Sequence, residues 1–330
     1  MRHLLHIVLG IFTIPLLLQA ESIDFQDRSW ADVLKTAQQE KKYIFIDAYA
    51  DYCLPCKAME KETFSQNKVF HYFNQHFISY KMDIEADKND YLVQVYQIKE
   101  LPALLFLTPE GILLQKIIGK QDAIPLLQLG EKTLKNQWSV EQDESHISLD
   151  KLLTNLEDYK MQHGGRTVNW MVKKQVYTQV LQSAISKDIK LFQSVLSNAS
   201  KANLPDIDRF KFNMQALFYE IVEDWQNYST ITSNYLNIKE NSNPKQLNEI
   251  AWMYYLNIED PQLLKKAIKW AEQSIKIESE YYNNRTYAAL LYKIDETKKA
   301  YKIAERAIYM ARARGIDDTE MINLIKKNTK

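Results

Sequence analysis

The chain of 330 residues carries 42 Lys and Arg against 42 Asp and Glu, a formal net charge of zero that leaves no basic surface for nucleic acid. Hydrophobic residues make up 46 % of it, enough for sizeable cores, and two cysteines are too few to staple a disulfide scaffold. The six histidines offer no ligand pair at a recognised spacing, so neither a metal nor another cofactor is expected.

In chain order, Met1-Arg2-His3 is a short basic start, Leu4 to Leu18 is almost wholly apolar, and Ala20 supplies a small residue for cleavage. Residues 1–20 read as a secretory signal, too short for a comfortable membrane span, with an uncleaved anchor as the alternative. No cysteine stands near the cut, so lipid attachment is not expected, and no later segment is apolar enough to span a bilayer. The expected destination lies across the inner membrane, in the periplasm.

Next come alternating patterns. Helices are predicted over Trp30–Glu40, from Cys56 onward, over Asn67–Gln75, Asp87–Tyr96 and Asp122–Lys135. Between them, strands are predicted over Tyr43–Ala50, Phe77–Asp83, Ala103–Leu107 and Ile112–Gly119, the last after a turn at Pro109-Glu110-Gly111. Strands alternating with helices, then two strands joined by a short turn, make an α/β sandwich with a mixed sheet. A polar stretch over residues 138–148 reads as a linker, so 21–137 is expected to form one domain, and residues from about 21 to 135 are expected to fold alone and to act on a small model disulfide. From 149 to 330 the apolar spacing is helical throughout. Helices are expected over Asp150–Gln162, Val168–Ser186, Asp188–Ala199, Ile207–Glu223, Tyr228–Tyr235, Gln246–Leu256, Gln262–Glu278, Asn283–Tyr292, Glu296–Arg312 and Thr319–Lys327.

The cysteines form Cys53-Leu54-Pro55-Cys56, directly after the first predicted strand. The thiolate is the reactive form, and a thiol at a helix N-terminus ionises more easily because the dipole and free N–H groups favour negative charge. A disulfide closing so short a loop constrains the unfolded chain only weakly, which favours redox chemistry over stapling. Half of a zinc site and a merely structural pair are the bland alternatives.

The stretch Ile46-Asp47-Ala48-Tyr49-Ala50-Asp51-Tyr52-Cys53-Leu54-Pro55-Cys56-Lys57 is followed by Met59-Glu60 and Glu62-Thr63-Phe64, and later by Leu101-Pro102 and Gly119. Together these resemble the thioredoxin superfamily, in particular the thioredoxin-like domain of thiol:disulfide interchange proteins and secreted bacterial thioredoxins. The resemblance covers Ser29 to Lys135. It implies that Cys53 is the exposed attacking thiol and that Cys56, deeper in the helix, resolves the mixed disulfide. Asp47 matches a buried carboxylate that takes the Cys56 proton, unless it faces solvent at the strand end. Lys81 matches a lysine that pairs with that carboxylate. Glu60 is either an acidic neighbour of the thiols or a plain solvated glutamate. Pro102 falls at the family's cis-proline, presenting Leu101 to the substrate backbone, with Tyr52, Leu54 and Pro55 as an apolar rim. Tyr49 and Tyr52 stand where ordinary thioredoxins have tryptophans. The resemblance also implies a protein disulfide as substrate and a membrane electron-transfer partner that recharges the dithiol. Pro55, with no donor or charge for the Cys53 sulfur, points to a reductase.

In the helical part, Ala267, Ala271 and Ser274 recur 33 residues later as Ala300, Ala304 and Ala307. This resembles the second helix of tetratricopeptide repeats, whose small residues let helices pack closely. Two functions follow from the whole sequence. One is a secreted thiol–disulfide oxidoreductase whose helical part binds and positions a protein; the other is an interaction scaffold with a regulatory thioredoxin domain.

Overall fold

The structure, a computed structural model, describes residues 22–25, 29–135, 147–238 and 243–328. The predicted signal and all but the end of the predicted linker lie outside them. Helix α1 spans Trp30–Glu40 and is capped by Ser29, whose hydroxyl accepts the Asp32 N–H. Strand β1, Tyr43–Tyr49, is followed by α2, Leu54–Met59, which continues into a π-turn over Glu60–Phe64. Then come α3 (Asn67–His76), β2 (Phe77–Asp83), a 3-10 turn (Asp87–Asn89) and α4 (Asp90–Val95). Strands β3 (Ala103–Leu107) and β4 (Leu113–Ile118) and helix α5 (Ala123–Leu134) complete this part.

The sheet order is β2-β1-β3-β4, with β1 parallel to β2 and the other neighbours antiparallel. Side-chain alternation splits it into two faces. Phe45, Phe77, Leu104 and Phe106 pack against Met59, Phe64, Phe73 and Leu126 from α2, the π-turn, α3 and α5. Ile44, Ile46, Tyr80, Met82, Leu105 and Leu107 face the other way, onto α1 and α4.

That second face does not end with residues 29–135. Helices α6 (Leu149–Thr154), α7 (Leu156–His163), α8 (Gly165–Ile185), α9 (Ile189–Lys201) and α10 (Ile207–Ile221) follow. Apolar residues of α6, α8, α9 and α10 enter the same core as the sheet. The predicted helix over 150–162 is interrupted at Asn155, whose φ of −118° is not helical. On α8, Val172, Val176 and Val180 recur every fourth residue and are fully buried. Trp30 Nε1 donates to the Tyr177 hydroxyl at 2.8 Å, the Tyr96 and Tyr177 hydroxyls lie 3.0 Å apart, and Tyr96 donates to Gly111 O at 2.9 Å. Gly111 needs its left-handed φ of 79°, and a Cβ there would meet Leu34 Cδ2 at 2.8 Å. Trp170 Nε1 donates to Val95 O at 3.1 Å, a further tie across the seam.

Helices α11 (Trp225–Leu236), α12 (Pro244–Asn257), α13 (Pro261–Ile277), α14 (Tyr281–Lys293), α15 (Thr297–Arg314) and α16 (Thr319–Asn328) build a separate core. In it α12 packs on α13, α13 on α14 and α14 on α15. The recurring Ala267, Ala271, Ser274, Ala300, Ala304 and Ala307 are all fully buried, so small side chains sit where these helices pack. Among the described residues no helix is long and apolar enough to cross a membrane.

Candidate active site

β1 is buried along its length except at its ends, and it delivers the chain to the cysteines. Cys53 caps α2 in an extended conformation, its N–H donating to Ala50 O at 3.0 Å and its Sγ accepting the Cys56 N–H at 3.2 Å. Pro55 lies in the first turn of the helix, where no intrahelical N–H is needed. The two cysteines are joined in a disulfide with Cα atoms 5.3 Å apart. Cys56 is 1 % exposed and Cys53 only 5 %, so in the oxidised state the first sulfur is less open than the sequence led us to expect. Bonded to Cys56 and accepting its N–H, the Cys53 sulfur is drawn into the turn. The openness belongs to its neighbours Tyr52 and Leu54, 68 % and 76 % exposed, and to Pro55.

Asp47 is fully buried on the α2 side of the sheet, since it shares strand parity with Phe45. The solvent-facing alternative is therefore discarded. Neither carboxyl oxygen has a hydrogen-bond partner among the described residues. Burial pushes this acid up to about 7, against the smaller downward pull of the Lys81 charge.

Lys81 sits opposite Asp47 in the β1–β2 register, but its ammonium bonds to Glu60 rather than to Asp47. The expected direct pair is thus replaced by a field. The Asp47 chain is short and held in the sheet, whereas Glu60 reaches from the π-turn to the half-buried lysine end. Burial lowers the Lys81 pKa, while Asp47 and Asp51 oppose that shift. Glu60 is therefore neither a plain solvated glutamate nor an uncompensated charge beside the thiols. Lys81 Nζ also stands 4.7 Å over the Tyr49 ring, a contact that spacing alone did not suggest.

The Leu101–Pro102 bond is cis. Pairing of Ala48 with Ala103 brings this corner beside the end of β1, and Gly119 N–H fixes it by donating to Pro102 O at 2.8 Å. Pro102 is buried and Leu101 half-buried. Hence Cys53, Cys56, Asp47, Lys81, Glu60 and the Leu101–Pro102 corner all converge on one end of the sheet. Among the described residues no cluster of side chains could hold a metal ion.

The family described as "Thioredoxin-like domain" matches residues 30–134. The thiol:disulfide interchange protein DsbD of Pseudomonas fluorescens is 31 % identical over 104 residues, which are 30 % of this chain and 18 % of that protein. Its counterpart in Yersinia pestis is 32 % identical over 96 residues, 28 % of this chain and 16 % of that protein. The chain thus spans less than a fifth of these curated relatives. A solution structure of a candidate disulphide-isomerase from Bacteroides thetaiotaomicron is 34 % identical, covers 36 % of this chain and 97 % of that one, and has a TM-score of 0.33. With the mixed sheet, the helix-capping cysteine pair and the cis-proline corner in place, residues 30–134 of the chain are a thioredoxin-like domain.

Proposed function

We propose that the protein is a thiol–disulfide oxidoreductase of the periplasm that reduces disulfides in proteins. The observation that carries the reading is a cysteine pair at a helix start with a buried, unpartnered carboxyl, Asp47, on the same side of the sheet. In the reduced protein the Cys53 thiolate attacks one sulfur of a substrate disulfide, forming a mixed disulfide and releasing one substrate thiol. Cys56 then gives its proton to the Asp47 carboxylate and attacks the Cys53 sulfur. The second substrate thiolate leaves, and the Cys53–Cys56 disulfide forms. A proton acceptor with a pKa of about 7 suits this task near neutral pH. Glu60 and Lys81 hold the local charge near balance, while Tyr52, Leu54, Pro55, Leu101 and Pro102 form the rim that receives the substrate chain. Each turnover consumes the dithiol, so a membrane electron-transfer protein must re-reduce it. The helical part, with its tetratricopeptide-like run from α12 to α15, positions the protein partner.

Cys56→Ser should accumulate mixed disulfides through Cys53 that resist alkylation and release with dithiothreitol, and Cys53→Ser should accumulate none. Equal trapping by both variants would remove the assigned thiol order. For direction, equilibration with glutathione should give a potential at or below about −200 mV, and a value near about −120 mV would make the protein an oxidant.

A further inference from the structure

The Lys81 ammonium has three candidate partners at the end of the sheet, and it takes two of them. Asp47 pairs with Lys81 and Tyr49 with Asp83 in the parallel β1–β2 register, so all four side chains leave the same face. The Asp47 carboxyl stands opposite the lysine, yet neither of its oxygens has a hydrogen-bond partner among the described residues. The ammonium goes instead to the Glu60 carboxylate, which comes from the π-turn, and to the face of the Tyr49 ring, 4.7 Å from its centroid. Burial, then the neighbouring charges of Asp83 and Asp51, hold the half-buried Tyr49 phenol well above its usual range. It therefore stays neutral and acts on the cation through the negative face of its ring.

The choice of partners has a chemical consequence. A cation drawn onto a carboxylate lowers its pKa by ~1–3 units, which would leave Asp47 a poorer acceptor for the Cys56 proton. Lys81 of β2 and Glu60 of the π-turn are the charged groups that set this balance. Leu104, opposite Asp47 on β3, is apolar, and the α2 cysteines are uncharged in the disulfide. Asp51 and Asp83 border Tyr49, and Asp83 Oδ1 accepts the Glu85 N–H at 2.9 Å. We infer that Tyr49 is a positioning residue for the proton transfer: with Glu60, its ring holds the Lys81 ammonium off Asp47 and leaves that carboxylate unpaired to receive the Cys56 proton. This rests on the oxidoreductase reading and adds to it a residue that acts only through Lys81. With leucine in place of the ring, the ammonium bridges Asp47 and Glu60.

The test follows the Asp47 carboxyl by NMR in the oxidised full chain labelled with 13C-aspartate, its signal identified by its loss in Asp47→Asn. Wild type and Tyr49→Phe, which both keep a ring under the ammonium, should titrate together at about 7. Tyr49→Leu should titrate ~1 pH unit lower, the small end of what an approaching cation produces. Tyr49→Met carries the same expectation if the leucine variant does not fold. Lys81→Met should titrate above wild type, because the downward pull of the lysine is gone. Adding Tyr49→Leu to it should shift nothing further, whereas a cavity that merely admits water would lower the value with or without the lysine. In the reduced protein, the pH midpoint for resolving a mixed disulfide on Cys53 should move towards acid by the same ~1 unit in Tyr49→Leu. An unshifted titration in Tyr49→Leu and Tyr49→Met, or an equal shift in the Lys81→Met background, overturns the inference while turnover of a protein disulfide keeps the oxidoreductase reading. A chain that turns over no disulfide overturns that reading and the role of Tyr49 with it, wherever Asp47 titrates.

Discussion

Asp47 is the residue whose energetics and proposed chemistry are most directly linked. Its carboxyl titrates near 4 in the unfolded chain and at about 7 in the fold. Between those values the native state binds the extra proton, so stability falls as pH rises, by at most about 1.4 kcal/mol per pH unit from this group. Its penalty is small below the unfolded value and complete above about 7. Glu220 is also pushed to about 7 by burial, so the wild-type slope carries both acids. The difference between wild type and Asp47→Asn isolates one. In denaturant titrations Asp47→Asn should match wild type at pH 4 and exceed it at pH 8, while resolution of the mixed disulfide slows by ~100-fold or more for want of a proton acceptor. An equal stability gap at both pH values would contradict the buried-charge account. The two cysteines were legible from their spacing alone, and Asp47 and the proline corner through the family resemblance, Asp47 lying six residues before Cys53 and Leu101-Pro102 just ahead of the third predicted strand. The sequence did not reveal the partner of Lys81, since a long side chain selects among nearby carboxylates by their positions in space.

At the scale of elements, periodicity located the four strands and most helices, and the differences have local causes. The helix expected from Asp87 starts as a 3-10 turn, with Asn89 bonding back to Asp83 O and Tyr80 donating to Asn89. The run after Cys56 opens into a π-turn over Glu60–Phe64, which places Glu60 towards Lys81. What the pattern of α8 could not say is what its buried stripe would meet. It meets α4 and the sheet core, and the tie is testable at Tyr177. This hydroxyl serves both Trp30 and Tyr96 inside a closed core. Tyr177→Phe keeps the ring but leaves the Trp30 N–H buried without its acceptor. That should cost about 1–3 kcal/mol in urea unfolding, against ~1 kcal/mol or less for a typical exposed tyrosine. Thiol chemistry at Cys53 should be unchanged. A loss no larger than that of Tyr309→Phe, at an exposed position on α15, would mean the network contributes nothing.

At the scale of the whole molecule, the boundary that composition suggested near residue 138 and the boundary drawn by the cores differ. The first core joins the sheet to α6, α8, α9 and α10, whereas α11 to α16 close on their own. A chain ending at Lys135 would expose one face of α1 and α4, including Trp30, Tyr91 and Tyr96, each at most 6 % exposed in the full protein. Each fully buried Val, Leu or Met lost with α8 removes about 1.5–3 kcal/mol. Folded domains have only ~5–15 kcal/mol to lose. A chain ending at Val222 keeps that core and gives up mainly α11 to α16. We therefore expect the chain ending at Val222 to unfold cooperatively and to turn over a small model disulfide near the full-length rate. The chain ending at Lys135 should bind the dye ANS, lose its unfolding transition and lose turnover. Matching, cooperative transitions for both truncations would show that the sheet and its own helices suffice, and would return the boundary to the polar stretch that composition indicated.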